Sequence, residues 1–253
     1  MAEDRTEFEK KGAIGIAWID NQAKGNSLSS NVMGDLSEIL NTVDKDKQLL
    51  LLILTSRGKH FCAGMDISGI EDTEAMRGRT DFFARLLPQI ESLPVPVLAA
   101  VRGNAFGGGF ELALACDMII ASEKAKFCFP EPALGACPPF GAMRLGELVG
   151  RIRAKEIMMT CRAVPAAEAA SIGLVNKVVA DEELMDSATS LAEDIAKKGP
   201  VALQMIKVAM NRQIGGSDMA YWQGTALSAR ASQDFEEGVK AFFAGKAPQF
   251  KGR

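Results

Sequence analysis

The longest unbroken aliphatic run in the chain, LLLLIL, covers only residues 49–54. It falls far short of the roughly 20 apolar residues that a membrane-spanning helix needs. A run this short suits a strand buried on both faces, and such a strand requires helices on both sides of its sheet. Residues 95–101 repeat the pattern, and shorter strand signals stand at 13–19, 118–121, 127–129 and 174–179. Between 13–19 and 49–54, Val32, Met33, Leu36, Ile39, Leu40 and Val43 recur at helical spacing, with Ser29 or Ser30 as cap. Residues 82–90 are helical in pattern, closed by Pro94 and Pro96. Strands alternating with helices predict an α/β core. From residue 181 only helices are expected, over 181–198, 200–213 and 217–244, with breaks at Gly199-Pro200 and Gly215-Gly216. The division is therefore a core over 1–195 and a helical region over 196–253. The polar, glycine-containing stretch 66–80 reads as a mobile connection.

Composition removes several functions. The net charge of −3 gives no general attraction to nucleic acid. The opening MAEDRTEFEK has charges of both signs and no apolar segment, so no secretory or transit peptide is expected, and a cytoplasmic location follows. Cys62, Cys116, Cys128, Cys137 and Cys161 form no CxxC pair and are odd in number. They read as small buried hydrophobes in a reducing compartment, not as a disulfide framework or zinc site. His60 is the one histidine, so no multi-histidine metal site can form, and acid–base chemistry falls mainly to carboxylates. No membrane partner is expected.

Two turns and two glutamates stand out. Residues 103–111, GNAFGGGFE, put three successive glycines between a strand and a helix. Such a turn is either a tight packing device or a source of N–H groups aimed at an anion or developing oxyanion. It has no GK[ST] and lacks the G-x-G-x-x-G spacing, so neither nucleotide fingerprint applies. Residues 61–66, FCAGMD, form a second strand-to-turn glycine segment and a possible second donor, because an oxyanion hole generally uses two. Glu111 and Glu131 each lie in an apolar segment beside one of these turns. They read either as capping or ion-pair groups or as a general acid–base pair.

At these residues the sequence resembles the crotonase (enoyl-CoA hydratase/isomerase) superfamily. The matching stretches are FCAGMDI at 61–67, PVLAAVRGNAFGGGFELALACDMIIAS at 96–122, AKFCFPEPALG at 125–135 and MTCRAVPAAEAASIGLVNKVV at 159–179. The terminal FKGR at 250–253 is also common in the family, and KGNSL at 24–28 is similar to its N-terminal signature.

The resemblance implies an α/β spiral of repeated ββα units with a C-terminal helical region that builds trimers or dimers of trimers. It implies an acyl-CoA substrate and no cofactor or metal. The thioester oxygen would accept hydrogen bonds from the backbone N–H of Met65 and Gly108. Glu111 would deprotonate a water and Glu131 would protonate C2. Lys24, Gly25, Asn26, Ala63, Gly64, Asp66, Ile67, Gly107 and Phe140 would line the CoA and acyl site. His60 is expected at its rim, and Arg57 and Lys59 are either a solvated turn or phosphate contacts. The expected activity is hydration of a 2-enoyl-CoA. The alternatives are a carnitinyl-CoA dehydratase-like reaction, a Δ3–Δ2 isomerase, or a CoA-binding scaffold. The loop 134–145, LGACPPFGAMRL, is shorter and less glycine-rich than the family pattern, and Lys246 stands beside the position of the family's C-terminal lysine.

Overall fold

A computed structural model describes residues 4–69, 72–211 and 233–246. Gly215-Gly216, the first part of the helix expected over 217–244, and the terminal FKGR lie outside the described residues. Nine strands are described: β1 (Arg5–Lys11), β2 (Ile14–Asp20), β3 (Leu51–Ser56), β4 (Val97–Val101), β5 (Asn104–Phe106), β6 (Met118–Ser122), β7 (Lys126–Cys128), β8 (Val164–Pro165) and β9 (Lys177–Val179). They form a six-stranded sheet ordered β1-β2-β3-β4-β6-β9 and a three-stranded sheet ordered β5-β7-β8. Pairing in the larger sheet is parallel except between β1 and β2.

The two sheets are layers of one spiral. Strands β2, β3, β4 and β6 of the large sheet each lead into a short segment of the second layer. After β3, Cys62 bridges Ala105. After β4, β5 pairs with β7, which itself follows β6. Leu28, beyond β2, bridges Met65. Successive coils thus stack their strand-to-helix turns side by side, as the ββα reading requires.

Alternation along the strands explains the two-sided burial. In β3, Leu52 and Leu54 face one apolar cluster while Leu51 and Ile53 face the other. In β4, Val97, Ala99 and Val101 face the first while Leu98 and Ala100 face the second. That is the period of two expected of a pleated strand. Helix α1 (Ser30–Lys45) and helix α2 (Thr73–Ser92) lend side chains to the first cluster. Ser29 caps α1 by accepting from the Val32 N–H at 3.2 Å. Helix α3 (Gly108–Leu114) is buried throughout. Its Phe110 stacks on Phe129 at 4.5 Å and meets Phe127 at 5.2 Å. Burying one such ring stabilises the fold by about 2–3 kcal/mol. Helices α4 (Pro139–Val149), α5 (Arg151–Thr160) and α6 (Ala166–Ser171) follow. Leu184, Ala188 and Ala192 of α7 (Leu184–Ala196) cover the second cluster. Helix α8 (Pro200–Asn211) and helix α9 (Gln233–Phe243) complete the described helices.

The structure adds to the sequence reading at three places. Within 66–80, α2 begins at Thr73, capped by the Asp72 carboxylate, and Arg79 donates to the carbonyls of Asp66 and Ser68 at 2.7 and 2.9 Å. Residues 5–11, within the charged opening stretch, form strand β1, paired on one side only, where Lys, Arg and Glu are tolerated at a sheet edge. The shortened loop after Glu131 is largely helical, as a 3-10 turn and then α4. No helix among the described residues is long and apolar enough to cross a membrane.

Candidate active site

The turn after β5 is fixed by its glycine. Gly107 has φ +53° and ψ −125°, a conformation that a side chain resists. Its N–H donates to Cys128 O at 2.8 Å, tying the turn to β7, and its carbonyl accepts from Phe110 and Glu111 to start α3. A Cβ at Gly107 would stand 2.6 Å from Glu131 Oε1. The bare α-carbon is what admits that carboxylate.

The FCAGMD turn lies against it. Gly64 has φ +100°, and a Cβ there would stand 2.9 Å from Phe106 O and 3.4 Å from the Gly108 amide nitrogen. Phe106 N–H donates to Cys62 O, Leu28 N–H donates to Gly64 O, and Asp66 N–H donates to Leu28 O, so Leu28 is bonded on either side of Met65. Neither the Met65 N–H nor the Gly108 N–H donates to a backbone carbonyl among the described residues. Two backbone donors from adjacent coils are therefore brought to one place. Gly108 itself does not have a positive φ. Its confinement comes from Phe83 and Leu28, 3.3 and 3.4 Å from where a Cβ would lie.

The two glutamates arrive from separate elements. Glu111 is in the first turn of α3, 4% exposed, and its Oε1 accepts from the Gly141 N–H at 2.8 Å. Glu131 opens the 3-10 turn after β7. Both act on Cys137, whose thiol is pushed up by burial first, then by the charges of Glu111 and Glu131. Burial also pushes Cys128 up to about 11, with the Glu131 charge contributing.

The other expected residues separate into two groups. Gly25 approaches Ala63, a Cβ on the glycine lying 3.3 Å from Ala63 Cβ, and Ala63 N–H donates to Gly25 O at 3.0 Å. Lys24 Nζ pairs with Asp66 at 2.9 Å, and Ile67 is half-buried beside them. Burial would raise Asp66, but hydrogen bonds from Ser68 and Lys24 outweigh it and hold the carboxyl below its ordinary value. Asn26 is a fastener: 1% exposed at φ +61°, it accepts from Asn21 N–H and donates to the carbonyls of Arg57 and His60. Phe140 is buried in the first apolar cluster, which also holds Leu28 and Phe83, with the Arg144 guanidinium over its ring. His60 is also internal bracing, because its Nδ1 accepts from Asn104 N–H at 3.2 Å. Arg57 lies over the Trp18 ring at 3.9 Å and pairs with Glu7. Lys59 is exposed and Lys246 lies at an exposed chain position. Sequence reasoning missed Gly141; the available signal was Pro138-Pro139, since proline favours the first turn of a helix.

A family model described as enoyl-CoA hydratase/isomerase matches residues 9–253. The short-chain-enoyl-CoA hydratase of Clostridium acetobutylicum is 39% identical over 81% of this chain and 80% of its own length. The crotonyl-CoA hydratase of Syntrophomonas wolfei is 36% identical over 99% of each chain. The crystal structure of carnitinyl-CoA hydratase from Mycobacterium avium superposes with a TM-score of 0.88 at 29% identity, covering 100% of both chains.

Proposed function

The chain belongs to the enoyl-CoA hydratase/isomerase family, and we propose that it is a hydro-lyase whose Glu111 and Glu131 add water across the 2,3 double bond of a short 2-enoyl-CoA. The observation that carries the assignment is the convergence of two carboxylates beside two backbone donors. Glu131 lies against Gly107, and Glu111 is rooted one turn beyond it.

The thioester oxygen accepts from the Met65 and Gly108 N–H groups. One such donor is worth on the order of 3 kcal/mol once the oxygen carries negative charge. Glu111 takes a proton from water as its oxygen bonds to C3. The π electrons shift toward the thioester, and Glu131 delivers a proton to C2. Each proton transfer contributes roughly 10²–10⁴-fold. The backbone pair supplies the electrophile, so this route calls on no metal. Two carboxylates favour water addition over isomerisation, which needs one group to carry a proton between two carbons. Lys24, Gly25, Asn26 and the segment 63–67 would hold the CoA portion. Phe83 and Leu28 lie close to Gly108 and would wall the acyl end of the site.

A cytoplasmic location fits five cysteines that are all free thiols. The helices beyond residue 195 would build a trimer or a dimer of trimers. Ile152 and Met159 on α5 are 89% and 72% exposed, and Met205 and Met210 on α8 are similarly bare. Apolar side chains in such numbers call for a covering surface. Light scattering at micromolar concentration should return about three or six chains per particle, and a monomer of full activity overturns that assembly. The activity is tested by following loss of the enoyl thioester chromophore with crotonyl-CoA and longer 2-enoyl-CoA esters. Turnover should be greatest with crotonyl-CoA and decline with chain length. Absence of hydration across the whole series overturns the proposal.

A further inference from the structure

We infer that Arg144, held by Glu91, is a positioning residue for Glu111: the ion pair sets α4 so that the Gly141 N–H meets the carboxylate. This rests on the hydratase reading above.

Gly141 is in the first turn of α4 and Arg144 is three residues further along the same helix. Gly141 has no side chain with which to fix itself. Its α-carbon packs on Phe129 with no slack, since a Cβ would stand 2.3 Å from Phe129 Cζ. The helix is held instead through Arg144, which is 8% exposed. Its guanidinium pairs with Glu91, meets Glu147 at 3.1 Å and lies 5.5 Å from the Phe140 ring.

The other half of the clasp is itself braced. Glu91 is in the last turn of α2. Asn211 of α8 donates to Glu91 O at 3.1 Å. Lys207, also of α8 and buried, donates to Ile90 O and Val95 O at 3.1 and 3.0 Å and pairs with Asp117 at 2.8 Å. A continuous set of contacts therefore runs from α8 through the end of α2 to α4 and Glu111. A buried ion pair adds little net stability, because desolvation offsets the attraction. What it does fix is geometry, and small misplacements of a reacting group are costly in rate.

The test is a double-mutant cycle on crotonyl-CoA hydration, with melting temperatures measured alongside. Arg144→Met and Glu91→Gln should each lower kcat about tenfold or more while KM stays within about threefold. In a Glu111→Gln background the same changes should alter kcat by less than about twofold, because the group they position no longer transfers a proton. Arg144→Lys, which keeps a charge toward Glu91, should recover most of the loss. Equal fold-losses in both backgrounds, or single variants of unchanged kcat, overturn the inference. Should Arg144→Met fail to fold, the Glu91→Gln arm decides. A Glu111→Gln protein of normal turnover overturns the hydratase assignment itself, whereas an additive cycle with an impaired Glu111→Gln overturns only the positioning role.

Discussion

Glu131→Gln is expected to lower turnover of crotonyl-CoA by about two orders of magnitude or more, with KM nearly unchanged. Glutamine keeps the volume beside Gly107 but cannot donate a carboxylic proton to C2. Glu111→Gln should behave alike, since its amide oxygen can still accept from Gly141 while the group no longer takes a proton from water. The loss belongs in the chemical step. Single-turnover kinetics should show rapid binding followed by slow disappearance of the enoyl chromophore. Normal hydration by both variants would falsify the acid–base assignment.

Gly107→Ala carries the second large effect. A side chain at φ +53° and ψ −125° costs roughly 1–3 kcal/mol in backbone strain. Its methyl would also occupy a point 2.6 Å from Glu131 Oε1. The carboxylate must move, and turnover should fall by about 10²-fold together with a drop in melting temperature. Gly108→Ala is the control. That position lacks the positive φ, and a methyl there presses only on Phe83 and Leu28. Its melting temperature should stay nearer the parent's. Equal destabilisation by the two alanines would mean that the turn is governed by packing alone.

How much of this was visible in the sequence follows from how local each feature is. The strand at 49–54 and the helix carrying Val32, Leu36 and Val43 announce themselves because their periodicity is self-contained. The glycine turns and both glutamates stand out because their backbone demands are local. Strand β1 was hidden, because an edge strand needs no apolar run and Arg5, Glu7 and Glu9 mask its period. The start of α2 was hidden by its polar face, although the Asp72 cap is present in the sequence. Gly141 and Arg144 gave no functional signal. Their partners, Glu111 and Glu91, are distant in the chain, and only the tertiary fold brings them together.

The side-by-side stacking of the coils has a genetic corollary. In the proposed reaction the electrophile is made of peptide groups, which are not encoded by the identity of any amino acid. At position 65, methionine can give way to other side chains and the donor persists; among the standard residues only proline deletes it. The neighbours of Gly108, by contrast, are side chains such as Phe83 and Leu28, each open to replacement one codon at a time. Substrate choice can therefore drift while the machinery that polarises the thioester is inherited intact, written into the path of the chain.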